Sequence, residues 1–362
     1  MKSWVKGKLS LINLSWAIAI LFVGIFLVEQ TKSVQKNSYF SEQIHAAQIM
    51  KNCLETIGEG RVEKGIPLDV ELDPNMTGII GKEYSQLTTT LGNLEAKRTG
   101  TNPAFAALLV KYFKDANLKK GDIVAIGASG SFPTLIVATL SAVNVLELEP
   151  LLIYSIGSSE YGANIPEFTF VEMLKILNRK NVLPYSLLAV SMGGDLDQAK
   201  GMFYSDSYEI IEKIAKESDT FFINTENIEE NIKQRMQLYK KSAGEKPIKI
   251  FVNIGGATPN YGNTPASITY PNGLVLNGPE VPEHPERGLM FEYQSLGIPI
   301  IHLLNIRDLA VKNGLPIDPI PLPKIGEGGV YYHIAYHRFL IILIIGSEFL
   351  YLLWALKRKI KD

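Results

Sequence analysis

The segment GDIVAIGASGSFPTLIVATLSA, residues 121–142, predicts a strand, a loop and a helix in succession. Residues 122–127 form a continuous apolar run, which is typical of a parallel strand buried on both faces. A helical pattern begins at Pro133 and continues to Val145. Small polar residues join the two. This is the first half of a βαβ unit.

The same alternation continues toward the C-terminus. Further strands are predicted at residues 150–157, 187–194, 220–224, 249–256 and 298–305. Further helices are predicted at residues 168–178 and 208–216. Strands that alternate with helices in this way form parallel sheets covered by helices. We therefore predict an α/β domain with a mostly parallel, doubly wound sheet.

An apolar segment at each end of the chain predicts a membrane span. Residues 9–28 carry no charge, and residues 339–356 carry only Glu348. Each is close to the roughly 20 residues that a transmembrane helix needs. Basic residues lie on the distal side of both segments, namely Lys2, Lys6, Lys8, Lys357, Arg358, Lys359 and Lys361. The positive-inside rule then places both termini in the cytoplasm and the domain between them outside.

These features predict a division of the chain into seven parts. They are a cytoplasmic N-terminus (1–8), a transmembrane helix (9–28), a stalk with an amphipathic helix (29–96), an extracytoplasmic α/β domain (97–330), a linker (331–338), a second transmembrane helix (339–356) and a cytoplasmic tail (357–362). A cleaved signal peptide is the alternative for the first span. The long apolar run and the lack of an A-x-A-like site favour an uncleaved helix.

Glu348 interrupts the second apolar segment near its middle. A carboxylate at that depth is costly unless it is paired or protonated. We therefore expect Glu348 to contact the first span or another membrane subunit.

Charge and motifs exclude several function classes. Residues 29–338 hold 29 Lys+Arg and 35 Asp+Glu, a net charge of −6, and they show no basic stripe typical of nucleic-acid binding. The chain has no P-loop, no GxGxxG and no HExxH, so we predict no nucleotide cofactor and no metal. The single cysteine, Cys53, lies beside an apolar helical stripe and is expected in the core.

Candidate ligand-binding residues follow the predicted strands, because ligands of open α/β sheets bind beyond the carboxyl ends of the strands. Small residues that can present backbone N–H groups suit a carboxylate, a phosphate or a peptide-like ligand. These residues are Ser129, Gly130, Ser131, Ser159, Gly193, Gly194, Gly255 and Gly256.

A second candidate precedes the first strand. Asn102 and Pro103 have the chemistry of a helix N-cap and first helical position, and Lys97, Arg98 and Thr99 come just before them. Two cations beside a helix N-terminus would bind an anion. A solvated basic pair next to an ordinary cap explains the same residues equally well.

An enzymatic interpretation begins from Ser129 and Ser131, which occupy the strand-to-helix turn where a nucleophile elbow belongs. Asp195 follows a later strand and His302 lies in the last one, which gives the Ser, Asp, His order of α/β-hydrolases. The loop departs from G-x-S-x-G at its last position. His302 also lies inside an apolar run, where a hydrogen-bonded core histidine is at least as consistent with the pattern.

The chain resembles the poly-gamma-glutamate system protein family of bacterial membrane proteins. The resemblance is carried by LEAKRTGTNPAFAALLV (94–110), GDIVAIGASGSFPTLIVATLSA (121–142), SIGSSEYGANIPEFTFVEM (155–173), FVNIGGA (251–257) and IPIIHLLNIRDLAVKNGLPIDPIPLP (298–323). It implies a role in synthesis or export of poly-gamma-glutamate, a cell-envelope or capsule polymer, with other membrane subunits and the anionic glutamyl polymer as partners. It transfers no catalytic residue.

Two functions are therefore expected. The first is a membrane-anchored component of a poly-gamma-glutamate synthesis and export system in the cell (inner) membrane, whose outer domain contacts the polymer or partner subunits. The alternative is an extracytoplasmic hydrolase or transferase that acts on the γ-glutamyl polymer with a serine nucleophile.

Overall fold

The computed structural model describes the backbone of residues 9–361 and the side chains of residues 9–357. The predicted cytoplasmic residues Lys2, Lys6, Lys8, Arg358, Lys359 and Lys361 lie outside the residues whose side chains are described.

The helices have the following bounds: α1 Leu11–Gln30, α2 Phe40–Glu63, α3 Leu94–Thr99, α4 Ala104–Asp115, α5 Pro133–Val145, α6 Phe170–Arg179, α7 Ser207–Lys216, α8 Ile228–Ala243, α9 Thr258–Tyr261, α10 Pro265–Ile268, α11 Gly288–Ser295, α12 Ile306–Lys312 and α13 Arg338–Lys361. The strands are β1 Ser33–Lys36, β2 Ile123–Ser129, β3 Glu149–Ser155, β4 Ala189–Ser191, β5 Phe221–Ile223, β6 Ile248–Ile254, β7 Gly273–Val275, β8 Ile300–Leu303 and β9 Tyr332–Ala335.

The chain forms two compact units. Residues before Tyr39 and after Tyr331 form the terminal unit, and Tyr39–Tyr331 form the central unit. Helix α2, which the sequence assigned to a stalk, belongs to the central unit. It packs against α4 and α5 and buries Met50, Cys53 and Ile57 completely. The central unit therefore begins at Tyr39 and not near residue 97.

The terminal unit contains two helices that are long and apolar enough to cross a membrane, α1 and the first 20 residues of α13. The two helices pack together, and Gly24 allows close approach, because a Cβ there would lie 2.5 Å from Ile344 Cγ2. Glu348 is buried, and within the described residues its Oε2 has no hydrogen-bond partner. Strands β1 and β9 pair antiparallel, with Ser33 opposite Ala335.

The central unit confirms an α/β fold with a mostly parallel sheet. The described residues form a seven-stranded sheet in the order β5-β4-β3-β2-β6-β8-β7. All neighbouring strands are parallel except β7, which runs antiparallel to β8. Strand β7 was not predicted, because its three residues lie in a Pro- and Gly-rich stretch.

The order of the strands places a crevice beside β2. The chain moves from β2 through β3 and β4 to β5, and then returns to the other side of β2 with β6. The loops that follow β2 and β6 therefore lead in opposite directions, which leaves room for a ligand at the carboxyl edge. Every residue of β2 is buried, and α5 begins directly after its loop with Pro133 at the first helical position.

Candidate functional site

A cavity of about 490 Å³ lies at the carboxyl edge of the sheet. The loops after β2, β3, β4, β6 and β8 contribute to it, together with α3 and the segment before α3. The lining residues that carry the argument below are Lys97, Ser129, Ser131, Phe132, Ser155 and Ser159. Gly193, Gly194, Asp195 and Gly256, which the sequence also selected, line the same cavity.

Glycines allow the loops of the cavity to approach one another closely. A Cβ at Gly157 would lie 2.7 Å from Thr89 Cγ2 and 2.9 Å from the backbone nitrogen of Gly194. Both distances are shorter than ordinary van der Waals contact. The absence of a side chain at residue 157 therefore allows the loops after β3 and β4 to approach this closely.

Lys97 projects from α3 into this group of loops. Asn93 caps the helix, with its Oδ1 accepting a hydrogen bond from the N–H of Ala96 at 2.8 Å. The Lys97 side chain is 3% exposed, and its Nζ lies 2.7 Å from Ser159 Oγ and contacts the carbonyl oxygen of Ser131. The same Nζ lies 4.0 Å from the centroid of the Phe132 ring.

Burial of Lys97 alters its charge state. Desolvation lowers the pKa of the Lys97 ammonium to about 7, and the nearby carboxylate of Glu160 opposes this shift. The charged and neutral forms of Lys97 therefore coexist near neutral pH. An amine of this kind can bind an anion in one form and accept a proton in the other.

Three serines, Ser129, Ser131 and Ser159, line the same cavity as Lys97. The backbone N–H of Ser159 donates to Ser131 Oγ at 3.0 Å. Ser129 Oγ is buried and has no hydrogen-bond partner within the described residues. A Cβ at Gly255 would lie only 2.3 Å from that oxygen, so the absence of a side chain at Gly255 leaves room for the Ser129 hydroxyl.

A buried ion pair lies beneath the carboxyl ends of β3 and β4. Arg235 of α8 and Asp197 are both fully buried, with Nη2 of the arginine 2.9 Å from Oδ2 of the aspartate. Arg235 also donates to Ser155 and Ser191, the last residues of the two strands. Asp197 Oδ1 accepts the N–H of Gly193 at 2.7 Å, which fixes the glycine loop of the cavity.

The Ser, Asp, His triad suggested by the sequence is not assembled. His302 Nδ1 lies 2.9 Å from Asn253 Nδ2, and its ring packs against Tyr261 and Tyr270. Burial lowers the pKa of His302 to about 4, as expected for a core histidine that stays neutral. Asp195 is an exposed residue at the rim of the cavity, with its N–H bonded to the carbonyl of Lys200.

The two cations before α4 have different environments. Lys97 and Arg98 lie in the last turn of α3. Arg98 forms a two-pronged ion pair with Asp318, and Thr99 Oγ1 accepts the N–H of Asp318 at 2.9 Å. Asn102 Oδ1 accepts the N–H of Ala104, where α4 begins. Of this group, Lys97 is the residue that faces the cavity.

The remaining predicted ligand-binding residue, Gly130, lies between the cavity-lining residues Ser129 and Ser131. Its N–H donates to the carbonyl oxygens of Ser155 and Gly157, and a Cβ there would lie 2.7 Å from the carbonyl of Ile156. Gly130 therefore brings the loops after β2 and β3 into direct contact.

Sequence reasoning missed one wall of the cavity, residues 89–93. This irregular segment pairs with the loop after β3, with the N–H of Thr89 donating to Ser158 at 2.8 Å and the N–H of Glu160 donating to Thr90 at 3.1 Å. The carboxylate of Glu160 in turn accepts the N–H of Gly92. The Asn93 cap was the local signal that an ordered element begins here.

No protein-family model, no curated protein and no solved structure matches the chain.

Proposed function

We propose that this chain is a membrane-anchored component of a poly-gamma-glutamate synthesis or export system. Helices α1 and α13 span the cell (inner) membrane with both termini in the cytoplasm, and the central unit, a doubly wound domain, lies on the outer face. Support comes from the two apolar helices, the distal basic residues and the family resemblance. Other membrane subunits of the system are the expected partners of the terminal unit.

The cavity is the proposed binding site for the glutamyl chain. The observation that carries this role is the buried amine of Lys97 on the cavity wall. Because the outer domain has a net charge of −6, it repels a polyanion at long range, and attraction must come from local donors. The Lys97 ammonium and the serine hydroxyls are donors that fit one carboxylate or amide carbonyl at a time.

The binding role is tested with the full chain purified in detergent and fluorescein-labelled poly-γ-glutamate, followed by fluorescence anisotropy. A charge-assisted hydrogen bond contributes about 1.5–3 kcal/mol, so Lys97→Met should weaken binding about 10- to 100-fold. Binding should also weaken as the pH rises through 7, because the ammonium loses its proton. Lys111→Met, at a position on α4 whose side chain is 36% exposed, is the matched control. Equal affinities for wild type and Lys97→Met would contradict the binding role.

A second function, an extracytoplasmic hydrolase or transferase acting on the γ-glutamyl polymer, is favoured by the hydroxyl of Ser129, a cavity-lining residue, because this hydroxyl has no hydrogen-bond partner in the described part of the chain. An unsatisfied buried hydroxyl costs stability unless a ligand or reaction uses it. With Ser129 or Ser131 as the nucleophile, the Ser129→Ala/Ser131→Ala double variant should not shorten the polymer, as measured by gel filtration. A double variant that shortens the polymer as much as the wild type does would exclude these two serines as the nucleophile.

A further inference from the structure

Lys97 and Ser159 are arranged as a proton acceptor and a nucleophile. Their Nζ and Oγ atoms are 2.7 Å apart, and both residues line the cavity. A neutral lysine amine has two hydrogens and one lone pair. One hydrogen can bond to the carbonyl of Ser131, which leaves the lone pair available for the hydroxyl hydrogen of Ser159.

The position of Ser159 is fixed independently of Lys97. Its backbone N–H is held by Ser131 Oγ, and its carbonyl accepts the hydroxyl of Ser158 at 2.8 Å. The residues on either side of Ser159 form backbone hydrogen bonds with the cavity wall, Ser158 with Thr89 and Glu160 with Thr90. A nucleophile held on a rigid loop beside its base satisfies the geometric requirement for covalent catalysis.

We propose that Ser159 and Lys97 form a nucleophile and general-base pair that catalyses acyl transfer from an amide-bonded substrate. Neither residue was assigned a catalytic role by the sequence motifs, which point to Ser129 and Ser131. The proposal of the pair rests on the Nζ–Oγ contact and on the position of both residues in the cavity wall. Its substrate, the γ-glutamyl amide bond, rests on the proposed function.

The reaction balances with these two residues and water. Ser159 Oγ attacks the amide carbonyl carbon while its proton moves to Lys97 Nζ. The C–N bond then breaks, and the Lys97 ammonium gives that proton to the leaving amine, which leaves an ester on Ser159. Water attacks the ester and passes its proton through Lys97 to Ser159 Oγ, so a carboxylic acid is released and the pair is restored. An amine in place of water gives transfer instead of hydrolysis.

The charges around Lys97 leave it able to act as a base near neutral pH. Glu160 lies close to it and favours the ammonium. Glu95, Asp195 and Arg307 lie along the cavity wall, and Arg307 pairs with Glu95 at 3.5 Å. Burial outweighs the attraction of Glu160, because the pKa of Lys97 falls to about 7.

The pair is tested by treating the full chain in detergent with a fluorophosphonate probe and locating the adduct by mass spectrometry. The probe forms an Oγ–P bond as fluoride leaves and the base takes the proton. We expect the adduct on Ser159, and we expect the labelling rate to rise with pH and reach half its maximum near pH 7. Lys97→Arg retains a cation that cannot accept the proton, so labelling should slow by about 10²–10⁴-fold.

Matched variants separate catalysis from folding. Lys111→Arg makes the same exchange at a partly exposed position outside the cavity and should label at the wild-type rate. Ser159→Cys should restore reaction with a thiol-directed acylating probe, whereas Ser159→Ala should not react. Each variant is first compared with wild type by circular dichroism. An adduct on Ser129 or Ser131, unchanged labelling of Lys97→Arg, or no labelling of folded wild type would overturn the pair.

The substrate is tested separately by measuring amine release from poly-γ-glutamate. Release by wild type and not by Ser159→Ala supports the glutamyl substrate. Labelling of Ser159 without amine release would contradict the γ-glutamyl substrate and would still support the Ser159–Lys97 pair. Polymer binding without labelling would support the proposed binding role and overturn the pair.

Discussion

The Arg235–Asp197 ion pair, at 2.9 Å, has both side chains fully buried. Ser155, Ser191 and Asn231 supply further hydrogen bonds to it, so its charges are compensated on several sides. The burial of both partners makes the loss of one costly, because the other charge is then left uncompensated in a region of low polarity.

Replacing Asp197 with Asn should therefore lower the free energy of unfolding by about 3–5 kcal/mol. The measurement is denaturant unfolding of the full chain in detergent, followed by circular dichroism. Asp115→Asn removes one partner of the exposed Lys111–Asp115 pair and should cost less than about 1 kcal/mol. Equal effects of the two variants would contradict the expectation that an uncompensated, buried Arg235 is costly.

His302 should make the stability depend on pH. Its pKa is lowered from 6.5 to about 4 in the folded chain, so between these values the unfolded chain binds the proton more readily. The contribution of His302 to stability is therefore fully present above pH 6.5 and is lost as the pH falls to 4. The corresponding free energy is about 3 kcal/mol for a shift of this size.

The measurement is the free energy of unfolding at pH 7 and at pH 4.5. His302→Gln should reduce the difference between the two values, because an amide does not titrate in this range. His284→Gln, at an exposed position, should leave the difference unchanged. A difference that is the same in wild type and His302→Gln would contradict the assignment of this histidine as a neutral core residue.

The loops after β3 and β4 form one packed element. Gly157→Ala should destabilise the chain and weaken the proposed polymer binding, because its Cβ would collide with Thr89 and with the backbone of Gly194. Gly256→Ala lies in the wall of the same cavity, but its Cβ would meet only Leu304 Cδ1 at 3.8 Å. Thermal unfolding and anisotropy of the two variants check this prediction, and similar losses for both would contradict it.

The sequence predicts elements best where strand and helix patterns are local. Helix α5 has the predicted bounds, residues 133–145, because a buried strand, a loop and a proline define its start. Strand β7 gives no comparable pattern, since it has three residues and owes its place to pairing with β8. Helix α2 was recognised as amphipathic, but its packing against α4 and α5 depends on tertiary structure.

The candidate site was predictable only in part for the same reason. Serines and glycines at strand ends converge because parallel strands share a carboxyl edge. Arg235 and Asp197 are 38 residues apart in sequence, and Lys97 and Ser159 are 62 apart, so no local spacing marks either pair. His302 is the reverse case: the sequence contains the Ser, Asp, His order typical of hydrolases, but in the fold His302 contacts Asn253 instead of a serine.

At the scale of the whole molecule, the proposed topology is tested by cysteine labelling. The native Cys53 is fully buried, so background labelling should be low. Lys200→Cys places a thiol on an exposed loop of the central unit, and a membrane-impermeant maleimide should label it in intact cells. Labelling that appears only after the membrane is made permeable would place the central unit inside the cell. Unsubstituted protein is the control.

The β1–β9 ribbon joins the two connectors of the central unit side by side, through four residue pairs from Ser33–Ala335 to Lys36–Tyr332. The central unit is therefore connected to the rest of the chain by two segments, and these two segments are hydrogen-bonded to each other. A protease that cuts one connector leaves the central unit attached through the other. With α1 and α13 both in the membrane, as proposed above, shedding of the central unit requires two separate cuts, so a single cut should not release it.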